Sequence, residues 1–183
     1  KYNFITDGKV KLNLNITRDI FSKDWKAKVD ANLFENNIFI TALNYNKNKN
    51  KRAKMTAEFS FSGNNLEAIR KLNFTSEDLL LTSELEFNKE NKLNKINIER
   101  LLRDKDNFKA KINFSNQNER IIEIEGDSID LKKVIEDNNN ENNDFKLFVN
   151  VNNLFYGNLN FGHSILNSSV EDKVLNSLNA NII

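Results

Sequence analysis

The chain has 183 residues, enough for one domain with a real core or for a stretch of an extended β structure. Its 27 basic and 26 acidic side chains nearly cancel, and no long cluster of Lys and Arg supplies the electrostatic footprint of a nucleic-acid binder. Cysteine is absent, so disulfide and thiolate chemistry are excluded, and no apolar run approaches the ~20 residues of a membrane helix.

Asparagine makes up about a fifth of the residues and proline is missing, a bias that drains single Asn residues of functional information. The chain begins at Lys1 and enters a β-like pattern within ten residues, so both ends are expected to be cuts in a longer protein.

Period-two alternation dominates and marks strands with one buried face. Val10, Leu12, Leu14 and Ile16 form the first apolar row, and Trp25, Ala27, Val29, Ala31 and Leu33 the second. Ile38, Ile40 and Ala42 begin a third strand, and Ala53, Met55, Ala57, Phe59 and Phe61 a fourth; the basic run at 47–54 between them reads as a solvated turn. Leu66, Ile69 and Leu72 then recur at three-residue steps, with Asn64 and Glu67 placed as N-cap and reciprocal acid, which predicts a short helix over 65–71.

Alternation returns through Leu79, Leu81, Leu85 and Phe87, then Ile96 and Ile98, then Phe108, Ala110, Ile112 and Phe114, then Ile122 and Ile124. After Gly126, Asp127 or Ser128 can cap a second short helix carrying Leu131, Val134 and Ile135 on one face. The polar tract 137–144 reads as a flexible loop. Strands resume at Phe145, Leu147, Val149 and Val151, with less regular candidates near Leu159, Phe161 and Ile165. The expected fold is mostly β: an antiparallel meander of long amphipathic strands in a curved, twisted sheet, with two short helices and loose repeat boundaries near 62–75 and 126–144.

Candidates for chemistry are few. His163 is the only histidine, which leaves a zinc site without its usual ligands. Glu123 and Glu125 share one face of a strand, but glycosidase carboxylates flank a bond across a cleft, and a same-strand pair is ordinarily solvated. Asp137, Asn139 and Glu141 open like a calcium loop, yet Asn142 and Phe148 stand where Gly and Glu are needed. The glycosylation triplets at Asn15, Asn73, Asn113 and Asn167 are expected by chance at this asparagine content, and no glycine-rich loop cradles a phosphate. These readings predict no enzyme, no cofactor and no metal. What remains is the apolar face, either a sealed sandwich core or a sheet left open for acyl chains, which periodicity does not separate.

The run Ile122-Glu123-Ile124-Glu125-Gly126-Asp127-Ser128-Ile129-Asp130-Leu131 resembles the strand, glycine and Leu-Asp-Leu ending of the AsmA-like superfamily, in particular its YhdP-like central domain. Leu66 to Phe74, the strands from Leu79 to Ile124, and Phe145 to Val151 with Leu154, Tyr156 and Leu159 follow a similar order. Asn73 stands where the family has glycine, and Ile129 replaces the first leucine of the motif.

The resemblance implies a periplasmic protein of the cell envelope, held at the inner membrane by an anchor outside this segment. It implies lipid transport in outer-membrane biogenesis, with phospholipid acyl chains moving along an apolar β-groove and no catalytic residues. The implied groove lining is Leu79, Leu81, Leu85, Phe87, Ile96, Ile98, Phe108, Ile112, Phe114, Ile122, Ile124, Phe145, Leu147, Val149 and Val151. Gly126 would serve a turn where a side chain obstructs the backbone, and Asp130 would be structural. A β-sandwich adhesion or scaffold module with a sealed core is the alternative. An outer-membrane barrel is weaker, for no aromatic girdles are visible.

Overall fold

In the computed structural model, residues 4–114, 120–132, 144–171 and 174–182 are described. Among them the strands are β1 (Phe4–Asp7), β2 (Lys11–Arg18), β3 (Asp24–Asn32), β4 (Asn37–Ile40), β5 (Tyr45–Lys47), β6 (Ala53–Ser62), β7 (Asn65–Ser76) and β8 (Leu80–Phe87). They continue as β9 (Leu93–Arg103), β10 (Asp106–Phe114), β11 (Arg120–Asp130), β12 (Phe145–Tyr156), β13 (Leu159–Asn160), β14 (Ser164–Glu171) and β15 (Val174–Ile182), with one 3-10 turn at Thr41–Leu43.

Two sheets result. A large curved sheet of 12 strands runs in the order β15-β14-β12-β11-β10-β9-β8-β7-β6-β3-β2, with β13 attached to β12, and does not close into a barrel. A small sheet of 3 strands, β1-β4-β5, is built mainly from the segment between β3 and β6. The expected third strand thus leaves the meander: Ile38 and Ile40 lie in β4 of the small sheet, while Ala42 falls in the 3-10 turn.

The predicted helix over 65–71 is instead the first half of β7. Pairing with β6 shifts register between Ser60 and Phe61 and again between Thr56 and Glu58, and pairing with β8 shifts between Ile69 and Leu72. The last two are the same irregularity, around Lys71, seen from either side, so β7 carries two extra residues, each of which flips its side-chain parity. Leu66, Ile69, Leu72 and Phe74 therefore share one face of a strand although their spacing reads as helical. Lys71, at φ 50°, sits in the second irregularity.

Among the described residues all pairs in the large sheet are antiparallel except one: β11 and β12 run parallel, with Ile122 opposite Leu147 and Ile124 opposite Val149. The large sheet is thus the antiparallel-dominated, curved sheet expected from the sequence, interrupted at one point, because parallel neighbours require a crossover connection rather than a hairpin. Leu131 and Lys132 turn helical at the end of β11; Val134 and Ile135 of the second predicted helix, and 137–143 of the polar tract, lie outside the described residues. The repeat boundary near 62–75 falls in the β6–β7 hairpin, inside continuous sheet, and the one near 126–144 falls on the crossover.

The small sheet packs over one end of the large one. Leu33, Ile38 and Tyr45 meet Ala31, Ala53, Phe74, Leu79 and Leu101 in one buried cluster. A second cluster joins Ala110, Ile124, Ile129, Leu131, Leu147, Val149, Val151, Leu154 and Leu166 further along the sheet. Ile38, Leu79, Leu101, Ile129, Val149 and Val151 are among the most completely buried side chains, each contributing about 1.5–3 kcal/mol by leaving water.

Candidate functional site: the apolar face

Strand registers place the apolar residues in rows across the large sheet. Ile16, Ala27, Phe59, Ile69, Leu85, Ile96, Ile112, Ile122 and Leu147 stand opposite one another in turn, an unbroken row over nine strands that ends at Ser168 of β14. At a spacing of about 4.8 Å per strand this row is roughly 38 Å long, more than the ~30 Å thickness of a bilayer's hydrocarbon core. A parallel row, nearer the small sheet, runs Leu12, Ala31, Met55, Phe74, Leu81, Leu101, Phe108, Gly126 and Val151.

The two rows differ in burial. Ala31, Phe74, Leu101 and Val151 in the second are sealed, whereas Phe59, Ile69, Leu85, Ile96, Ile112 and Ile122 in the first stay half-buried. At the far end Trp25 stacks on Phe61 with ring centroids 3.7 Å apart and planes 1° from parallel, and its indole Nε1 donates to the Gly63 carbonyl at 2.8 Å.

Of the residues assigned to groove lining, all but Leu79 lie in strands and share this face. Leu79, just ahead of β8, and Ile124, Leu147, Val149 and Val151 are buried in the two clusters. Leu81, Leu85, Phe87, Ile96, Ile98, Phe108, Ile112, Phe114, Ile122 and Phe145 are half-buried.

Gly126 does not make a turn. It lies inside β11, opposite the irregularity between Asn107 and Phe108, where a β-carbon would come within 2.6 Å of Phe108 Cα. Asp130, at the end of the same strand, is buried, and its Oδ1 accepts from the backbone N–H of Lys132 at 3.1 Å and of Gly157 at 3.0 Å. Its own N–H donates to Asp106 Oδ1 at 2.9 Å, and Asp106 Oδ2 receives Arg103 at 3.2 Å. Arg103 also donates to the Leu43 carbonyl, so one buried polar chain ties the small sheet to β9, β10, β11 and the turn after β12.

The basic run is not wholly solvated, contrary to its charge. Lys47 is buried, and its Nζ donates to the Leu33 and Asn36 carbonyls, each at 2.7 Å. Burial holds its ammonium below the ordinary lysine value, against the raising field of Glu77. Two residues earlier, buried Tyr45 has its hydroxyl 2.8 Å from Ser76 Oγ and donates to Asp78 Oδ1 at 2.7 Å; burial pushes its pKa up to about 12. Tyr45 and Lys47 alternate with exposed Asn46, and that alternation was the signal available in the sequence.

The opposite face of the large sheet is polar. Lys28 and Lys71 both pair with Glu58, at 3.2 and 3.3 Å, Lys54 with Asp30 at 2.9 Å, and Lys109 with Glu125 at 3.1 Å. An open recess of about 1600 Å³ is lined on this side by Lys11, Asn13, Asp30, Asn32, Lys54 and Thr56 together with neighbours on β7 and β8. His163 is half-buried with Nε2 3.3 Å from Asn150 Oδ1. Among the described residues no group of His, Cys, Asp and Glu could hold a metal ion, and no helix is long and apolar enough to cross a membrane. In comparisons with protein-family models, curated proteins and solved structures, nothing matches this chain.

Proposed function

We propose that the chain is a non-enzymatic segment of an AsmA-like, YhdP-like envelope protein that carries phospholipid acyl chains between inner and outer membrane. On this reading it works in the periplasm and is anchored at the inner membrane through a segment outside this chain. The observation that carries the reading is the half-buried row from Phe59 to Ile122, an apolar strip that crosses strand after strand without a polar interruption. Hydrocarbon needs only such a lining, with no directional partners.

A scaffold or adhesion module is the second reading, and one observation favours it. The small sheet seals the end of the apolar face at Ala31, Phe74 and Leu101, as one half of a sandwich would.

Ile96 and Ile112 decide between them, since they oppose each other across β9 and β10 and belong to neither buried cluster. Protein purified from a diderm bacterium is assayed by mass spectrometry for bound phospholipid, beside Ile96→Asp and Ile112→Asp variants whose fold is checked by circular dichroism. The lipid reading expects phospholipid on the wild type and its loss in folded variants. Equal lipid on all three sinks it.

A further inference from the structure

We infer that β2 is a docking edge for a second copy of this chain, which adds its own β2 antiparallel and continues the sheet. This inference does not depend on the lipid reading. Among the described residues β2 is the terminal strand of the large sheet, and every one of its residues is exposed. Its apolar side chains lie bare: Leu12 is 53 %, Leu14 55 % and Ile16 59 % exposed, while their neighbours one strand inward, Ala27 and Ala31, are buried.

Protected edges carry a bulge, a proline or an inward-pointing charge. β2 has none of these from Leu12 to Ile16: its pairing with β3 is regular over all eight residues, and its charges, Lys11 and Arg18, sit at its two ends.

Self-pairing fits the sequence of the strand. With Leu14 on the two-fold axis, Leu12 faces Ile16 of the second copy on the apolar side, and Asn13 faces Asn15 on the polar side. Lys11 then meets Thr17, and just beyond the strand Lys9 meets Asp19, so each end carries an opposite-charge pair and no like charges face each other. A two-fold operator keeps the apolar sides of both copies on the same face of the joined sheet, and the contact closes at two copies rather than growing into a fibre. Beside it, Ile20 and Phe21 at 91 % and 99 % exposure add apolar surface at the β2–β3 turn. Strand addition of this length is small beside a standard protein interface, so the dimer should form at micromolar rather than nanomolar concentration.

Sedimentation velocity across the micromolar range reads the outcome. The wild type is expected to pass from monomer to dimer as concentration rises, and Leu14→Lys, which sets two ammonium groups on the axis at a site already open to water, to stay monomeric. Phe148→Lys, on the polar face of β12, is expected to dimerise as the wild type does. Because the chain lacks cysteine, Leu14→Cys gives an independent reading: mild oxidation should join two copies at that residue, and Leu159→Cys on β13 should not. A wild type that stays monomeric throughout, forms only polydisperse aggregate, or dimerises undiminished with Leu14→Lys overturns the inference.

Discussion

Gly126 and Phe108 approach so closely that a β-carbon on the glycine would lie 2.6 Å from Phe108 Cα and 2.9 Å from its Cβ. Backbone rather than a flexible side chain stands in the way, so β10 and β11 would have to part locally. Gly126→Ala is expected to lose about 1–3 kcal/mol of stability, read as a lower urea midpoint at unchanged slope. An unchanged midpoint would show that the two strands can give way at no cost.

Asp130 holds two backbone N–H groups with one oxygen, those of Lys132 and Gly157. Asp130→Ala strands both donors beside a buried site and is expected to cost about 1–3 kcal/mol, whereas Asp130→Asn keeps an acceptor oxygen and should recover most of the loss. Equal destabilisation by the two variants would mean that the negative charge, and not acceptance, is what matters.

Alkaline stability should depend on Tyr45. Its folded pKa, about 12, lies above the ordinary tyrosine value of 10.0, so the folded state holds the proton longer than the unfolded one. The stability it contributes is complete below 10.0 and is lost as pH rises from 10.0 towards 12. Tyr45→Phe removes that titration: relative to the wild type, its stability is expected to fall less steeply across this window in denaturant midpoints taken at successive pH values. Parallel profiles would rule out the tyrosine as the source.

Lys71 occupies left-handed backbone at φ 50°, where a β-carbon is disfavoured. Lys71→Gly relieves that strain, at the cost of an exposed ion pair with Glu58 and of added freedom in the unfolded chain. The expected result is a stability equal to the wild type or up to about 1 kcal/mol higher in thermal denaturation. A clear loss would show that the left-handed backbone at this position carries little strain.

Much of the large sheet was legible because β3, β6, β10 and β12 alternate cleanly, and each alternation maps to a real face. β7 was misread because irregular pairing moves apolar residues to three-residue steps, a pattern that single-sequence periodicity assigns to a helix. Lys47 was misread because a charge run is ordinarily solvated; only the loop carbonyls of Leu33 and Asn36, distant in sequence, make its burial favourable. The same limit hid the chain from Leu43 through Arg103 and Asp106 to Asp130, whose members come together only once β9, β10 and β11 are paired. Which end of the apolar face is covered was likewise invisible, since it depends on where the segment between β3 and β6 docks rather than on its composition.

The single parallel pair also divides the chain's route to its native state. From β7 to β11 each strand pairs with the one before it in sequence, so this part of the sheet can zip up one hairpin at a time at little cost in loop closure. β12 has no hairpin to guide it onto β11; it must find its place across a connection that reverses the full length of the strand. That docking, like the pairing of β6 with β3 across the segment that forms β4 and β5, is expected to be slower than the hairpin steps, after which β14 and β15 can fold back in turn, so the seam between β11 and β12 bears on how the protein assembles as well as on how it is arranged.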